Sequence, residues 1–198
     1  MEHLILASQS ESRVRVLREA GVDFEIHPAH IDETSIIESL QSAIASPRDI
    51  ADALAELKAI KISNAHPNAL VLGCDQILHC NGRNFEKAEN PTEARQNLIT
   101  LRGQKHSLWS AAVIAKGGIA IWRHVDSVEL TMRNFSDEFL EWYLEIAGSI
   151  LTQSVGAYAL EGLGVQLFSR IQGDGFTILG LPLLPILDAL RTHKVLRI

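Results

Sequence analysis

The tightest constraint in this chain is a carboxylate set inside an apolar run. Ala69-Leu70-Val71-Leu72-Gly73-Cys74-Asp75-Gln76-Ile77-Leu78 reads as a buried strand that Asp75 interrupts, with apolar residues on both sides. A buried carboxylate is costly unless it is paired or bound to a metal. It belongs where strands meet a cleft. Gly73, just before it, would let a ligand or another backbone approach closely. A structural aspartate satisfying a loop is the alternative, but nothing nearby looks like a turn, and the functional reading is favoured.

A second informative stretch lies at the start of the chain. Leu4-Ile5-Leu6-Ala7 is a short apolar run, followed by the small and polar Ser8-Gln9-Ser10-Glu11-Ser12-Arg13. Val14 and Leu17 then fall on one helical face, and Gly21 marks a stop. Strand, tight turn and helix gather Ser8, Ser10, Ser12 and Arg13 at a helix N-terminus. Free N–H groups and the helix dipole favour an anion there. Hydroxyls and a guanidinium fork suit phosphate. The plainer alternative is an N-cap serine beside a solvated arginine.

Further elements follow from local signals. Phe24 to His27 alternates like a half-buried strand, and Ile31-Asp32-Glu33-Thr34 reads as an acidic loop. Ser46-Pro47-Arg48-Asp49 opens a helix with Ile50, Ala53, Leu54, Leu57 and Ile60 as its apolar stripe. Lys58 and Lys61 lie beside that stripe, where two surface lysines are the ordinary expectation. Asn81-Gly82 predicts a hairpin. Asn90-Pro91-Thr92-Glu93 predicts a helix that stops near Gly103. Strands are expected from His106 to Ala115 and from Ile119 to Thr131, turning at Gly117-Gly118. Ser136 caps another helix ending near Gly148; Val165 to Ile171 looks like strand, and Leu183 to Leu190 like a closing helix. This order predicts an α/β fold with a mixed sheet.

Bulk properties narrow the class. A chain of 198 residues that is 46% hydrophobic can bury a sizeable core. Its formal charge of −6 argues against broad nucleic-acid or anionic-membrane binding. The apolar run from Ile178 to Leu190 is broken by Pro182, Pro185 and Asp188, so no membrane span is expected. No signal peptide is read at the N-terminus, and a cytoplasmic protein is expected. On one extended segment Cys74 and Cys80 would lie roughly 20 Å apart, too far for a disulfide. The histidines show no zinc-ligand spacing.

Taken together, these stretches resemble the Maf family, the septum-formation-inhibitor-like nucleotide pyrophosphatases. The resemblance runs over nearly the whole chain, 1–198, as a single domain. Its anchors include Ala7-Ser8-Gln9-Ser10 with Arg13, Ile31-Asp32-Glu33, Lys58-Ala59 and Gly73-Cys74-Asp75-Gln76. Others are Lys87, Leu101-Arg102-Gly103-Gln104-Lys105-His106, Gly156-Ala157-Tyr158, Gly162-Leu163-Gly164 and Ile171-Gln172-Gly173-Asp174. The resemblance implies an elongated, two-lobed α/β fold with a curved mixed sheet and a nucleotide cleft between the lobes. It implies cleavage of a nucleoside triphosphate to monophosphate and pyrophosphate, a divalent metal (Mg²⁺ or Mn²⁺) and a homodimer.

Carried over by residue, Asp75 matches the family's proton acceptor and Glu33 the acid that helps hold the metal, with Asp75 also open as a ligand. Ser8, Arg13, Lys58 and Lys87 match donors around the triphosphate, which would neutralise charge as pyrophosphate departs. Glu11 and Val14 depart from the family's frequent proline and second arginine, and Glu86-Lys87-Ala88 departs from Gly-Lys-Pro. Asp75-Gln76 and Glu161 resemble the branch that prefers 7-methyl-GTP, whereas Ser154 to Tyr158 resembles the dTTP/UTP branch. The biological role implied is removal of noncanonical nucleotides, with a link to division arrest. A nucleotide-binding regulator of division without turnover is the rival reading, and a general phosphatase a third.

Overall fold

Residues 2–42 and 44–197 are described by the computed structural model. Chain order is β1 (Leu4–Leu6), α1 (Glu11–Glu19), β2 (Glu25–Ile26), α2 (Glu33–Ser42), α3 (Pro47–Ala65) and β3 (Leu70–Cys80). Next come β4 (Arg83–Phe85), α4 (Pro91–Leu101), β5 (Lys105–Lys116), β6 (Ile119–Met132), α5 (Asp137–Ala147) and α6 (Ile150–Gln153). A 3₁₀ turn (Leu163–Leu167), β7 (Phe168–Gln172), α7 (Gly175–Ile178) and α8 (Leu183–Thr192) complete it. The seven strands pair as an open mixed sheet in the order β2-β1-β3-β5-β6-β7, with β4 on β3. The α/β class and the mixed sheet expected from the sequence are both present.

The chain divides into two compact units, each assembled from separate stretches. One comprises Met1–Gln76, Trp109–Asp126 and Asp174–Ile198; the other comprises Ile77–Leu108 and Ser127–Gly173. In the first unit β1 runs parallel to β3, with Leu4 opposite Leu70 and Leu6 opposite Leu72. Strand alternation then sorts the side chains. Leu4, Leu6, Leu70, Leu72 and Cys74 pack with Val16 and Leu17 of α1 and with Ile186 and Leu190 of α8. Ile5, Ala7, Ala69 and Val71 form the opposite layer, with Ile62 of α3 against it.

Gly73 belongs to that second layer and has no side chain to offer. A Cβ there would lie 2.2 Å from the Ala55 carbonyl oxygen and 2.7 Å from the Ala59 nitrogen. The α3 backbone therefore rests directly on β3. The close approach anticipated at Gly73 is made by a helix. It also decides which face of α3 is inside. Ile50, Ala51, Leu54, Ala55, Lys58 and Ala59 are buried, whereas Leu57 is 42% exposed. The apolar stripe expected through Leu57 is thus rotated toward the small residues, because small residues are what the contact can hold.

In the second unit, Asn81 (φ 49°) and Gly82 (φ 81°) form the expected two-residue turn. It pairs β3 with β4 antiparallel, Leu78 opposite Phe85. Asn90 caps α4 by accepting from the Glu93 N–H at 2.9 Å, and Ser136 caps α5 by accepting from Phe139 N–H at 3.2 Å. His106 is buried and shares a 2.8 Å hydrogen bond with the Tyr158 hydroxyl. Burial pushes its imidazole down to about 4, so it stays neutral near neutral pH.

Three expectations are corrected. Phe24 to His27 is not a half-buried strand: β2 is two residues long and exposed at the sheet edge. Glu33 opens helix α2 instead of sitting in a loop. Asp32 accepts from Ser35 N–H at 3.1 Å, a cap with only a weak apolar stripe behind it. Val165 to Leu167 is a 3₁₀ turn, and strand begins only at Phe168.

Because Gly73 touches backbone, Gly73→Ala has no flexible atom to displace. We expect it to lower unfolding free energy by about 3 kcal/mol, the upper range for overpacking. Urea titration with circular dichroism measures this; a loss below about 1 kcal/mol would show that α3 can move off β3 at little cost.

Candidate functional site

Asp75 lies two residues beyond Gly73 and so faces the same side of β3. The helix that crosses Gly73 at Ala55 and Ala59 carries Lys58 one residue before the second contact. Its ammonium donates to Asp75 Oδ1 at 2.5 Å and lies 2.8 Å from Glu33 Oε1. Lys58 and Asp75 are buried at 8% and 5% exposure, while the Glu33 side chain is 48% exposed. Lys58 is therefore not the surface lysine its spacing suggested. Lys61, three residues on, is the exposed one and donates to the His30 carbonyl.

One ammonium thus serves two carboxylates. Burial drives the Asp75 carboxyl above its ordinary range, and Glu33 adds to that; Lys58 and Arg13 pull it back only in part. A carboxylate held this way is a better proton acceptor than a solvated one. Cys74 beside it faces the core, and burial pushes its thiol up to about 11. It is a packed, protonated side chain and no nucleophile.

Arg13 organises the neighbouring turn. Its Nε donates to the Gly180 carbonyl at 3.0 Å, and one terminal nitrogen donates to the Cys74 carbonyl at 2.9 Å and to Ser8 Oγ at 3.3 Å. Ser8 Oγ also accepts from the Ser10 N–H at 3.3 Å. Gly180 has φ 86°, and a Cβ there would sit 3.1 Å from Arg13 Nε. Ser10 is the N-cap residue of α1, yet its side chain makes no capping bond. Of Ser8, Ser10, Ser12 and Arg13, expected to gather at the helix start, Ser8, Arg13 and the Ser10 backbone are joined by these hydrogen bonds.

Sequence reasoning missed a polar layer on the other face of β3. Gln76 Nε2 donates to Ser110 Oγ at 2.9 Å and to the Thr177 and Ile178 carbonyls at 3.1 Å each. Ser110 Oγ donates to the Thr177 carbonyl at 2.7 Å. Thr177 Oγ1 donates to Asp174 Oδ2 at 3.0 Å and to Asp126 Oδ2 at 3.3 Å. These bonds hold α7, and with Arg13 they fix the segment 174–180. The usable signal was Ser110, a lone hydroxyl ahead of the apolar run Ala111 to Ala115.

Ser8, Arg13, Glu33, Lys58 and Asp75 all belong to the first unit. Lys87 and Glu161 belong to the second. Lys87 is exposed and bridges Val155 antiparallel, just beyond β4. Glu161 is exposed in the turn that leads into the 3₁₀ segment. Among the described residues no group of three or more His, Cys, Asp or Glu side chains is placed to hold a metal ion, and no helix is long and apolar enough to cross a membrane.

Comparison with known proteins adds a family. The model described as Maf-like protein matches residues 3–193. A nucleoside triphosphate pyrophosphatase of Granulibacter bethesdensis is 48% identical, with 98% of this chain and 99% of that protein covered. One of Caulobacter vibrioides is 50% identical, covering 98% and 96%. A 7-methyl-GTP pyrophosphatase of Mesorhizobium japonicum is 47% identical, covering 96% of each.

Removing Lys58 strands a buried carboxylate, whereas removing the Glu33 charge leaves Lys58 still paired. Lys58→Ala is expected to cost about 3 kcal/mol or more at pH 8, and Glu33→Gln under about 1 kcal/mol. The Lys58→Ala loss should shrink toward acid pH. Asp75 holds its proton more tightly folded than unfolded, so its contribution is favourable below its ordinary value of 3.8 and is lost as pH rises through the folded value. Without Lys58 that value climbs further. Urea melts of both variants at several pH values measure this; a Lys58→Ala cost independent of pH would contradict it.

Proposed function

The chain belongs to the Maf-like protein family, and from that membership we propose that it hydrolyses nucleoside triphosphates to the monophosphate and pyrophosphate. The observation that carries the reading is the buried Asp75 with its carboxyl raised, set against Lys58 and Glu33. Near-full-length relatives named nucleoside triphosphate pyrophosphatase support the reaction class.

A divalent ion fits the donor set. Glu33 and Asp75 already share one cationic centre, the Lys58 ammonium. Two carboxylates, with no third acid, His or Cys ligand beside them among the described residues, suit an ion such as Mg²⁺ or Mn²⁺ that takes its remaining oxygens from water and a polyphosphate. When bound, such an ion withdraws charge from phosphate oxygens.

The chain's own groups then divide the work. Asp75 accepts the proton of the water that attacks the α phosphorus. The bond from that phosphorus to the bridging oxygen breaks, and pyrophosphate leaves with the oxygen. Lys58 and Arg13 supply positive charge against the oxygens on which negative charge grows. Ser8, held by Arg13, presents a hydroxyl beside them. Lys87 is assigned a triphosphate contact, and Glu161 recognition of the base, on the family pattern. A carboxylate at Glu161 can accept from guanine N1–H and the 2-amino group. The relative named 7-methyl-GTP pyrophosphatase supports a modified guanine nucleotide as substrate.

A panel of nucleoside triphosphates including 7-methyl-GTP, dTTP and UTP, with Mg²⁺ or Mn²⁺, tests the proposal by product. Pyrophosphate and monophosphate in equal amounts are expected; direct release of orthophosphate would refute it. Asp75→Asn should lower kcat by about 10³-fold with little change in KM. The wild-type rate should fall on acidification, because a protonated Asp75 cannot accept a proton.

A further inference from the structure

The position of the Lys58 ammonium bears on how metal enters. Its Nζ touches Asp75 Oδ1 and Glu33 Oε1 at once, at 2.5 and 2.8 Å. Those two groups are the carboxylates that the proposed function assigns to a divalent ion, and an exchange of cations between them rests on that assignment. An ammonium and a divalent ion cannot share the same oxygens closely, because two positive charges a few ångströms apart repel strongly in a poorly solvated site. We infer that Lys58 is a place-holding cation: its ammonium stands where the divalent ion binds, and each excludes the other.

The geometry allows the exchange. The Lys58 backbone is pinned, since Ala55 and Ala59 on either side of it meet β3 at Gly73. Its four-carbon stem, however, can swing the ammonium without moving the helix. Glu33 is half-exposed at the start of α2, so the incoming ion reaches that carboxylate from water. The displaced ammonium then needs a new anion. Asp75 and Glu33 carry the ion, and a phosphate oxygen is the acceptor that a triphosphate brings. Metal and nucleotide therefore bind with positive coupling: each supplies what Lys58 needs in order to leave its resting partners. Lys58 thus keeps the buried Asp75 paired before the metal arrives and becomes a phosphate donor after it.

The test needs no turnover. Mn²⁺ binding is measured by electron paramagnetic resonance without nucleotide, for the wild type, Lys58→Met and Glu33→Gln. Removing the competitor, one charge-assisted ion pair, should tighten Mn²⁺ binding in Lys58→Met by about tenfold or more. Glu33→Gln should bind more weakly than the wild type. Equal or weaker binding by Lys58→Met overturns the inference. Should that variant fail to fold, side-chain NMR of nitrogen-15 lysine-labelled wild type gives the answer. The Lys58 ammonium resonance should shift in step with Mg²⁺ binding, and a resonance unmoved at saturating Mg²⁺ overturns it. Neither readout depends on pyrophosphate release, so a protein that bound metal this way yet released no pyrophosphate would refute the proposed reaction and leave the exchange standing.

Discussion

The contact of α3 with β3 at Gly73 is what the rest of the site depends on. Backbone meets backbone there, with Ala55 and Ala59 on the helix and no side chain on the strand. Such a contact has almost no slack, because interiors are packed to crystal-like density. Everything nearby inherits its precision. Lys58 is carried by the same helical turn and Asp75 by the same strand face, so their 2.5 Å pairing is set by the packing of two rigid elements.

Charge follows from that placement. A buried ion pair is poor evidence of stability, since an apolar pair of the same volume often does as well. The cost of burying Asp75 is offset by Lys58 and Arg13 without being cancelled, which is why its carboxyl stays raised. That residual cost is what the proposed proton-acceptor role of Asp75 would draw on. Arg13 plays a second part. By holding the carbonyls of Cys74 and Gly180 together with Ser8 Oγ, it ties α1, β3 and the segment before α8 into one frame around the acid. Gln76, Ser110 and Thr177 brace the same segment from the opposite face of the strand.

The sequence was most legible where a short stretch carries its own instructions. Ser46-Pro47 and Asn90-Pro91 cap their helices as their residue types dictate, and Asn81-Gly82 adopts the positive φ angles its turn requires. It was least legible where a partner elsewhere decides. The two-residue β2 exists because β1 offers it an edge, with Ile5 opposite Glu25. Helix α2 has a good cap in Asp32 but a weak apolar stripe, with Ile37 its one buried residue among those described. The 3₁₀ turn before β7 reads as strand because Val165, Leu167 and Phe168 are strand formers, whatever conformation the packing of Gly164 against Ala159 imposes.

From the residues alone came the α/β class, the element order and the oddity of an aspartate in an apolar strand, because hydrophobic period and turn chemistry are local properties. The family resemblance singled out Ser8, Arg13, Glu33, Lys58, Asp75, Lys87 and Glu161, of which the first five lie in one unit. What no stretch of sequence could state is that a single ammonium answers both acids, or that Arg13 commits its fork to two carbonyls and a hydroxyl from three parts of the chain. Those depend on distances between residues up to 167 positions apart. Only the folded backbone sets such distances, and it does so through contacts, such as that at Gly73, in which the decisive side chain is absent.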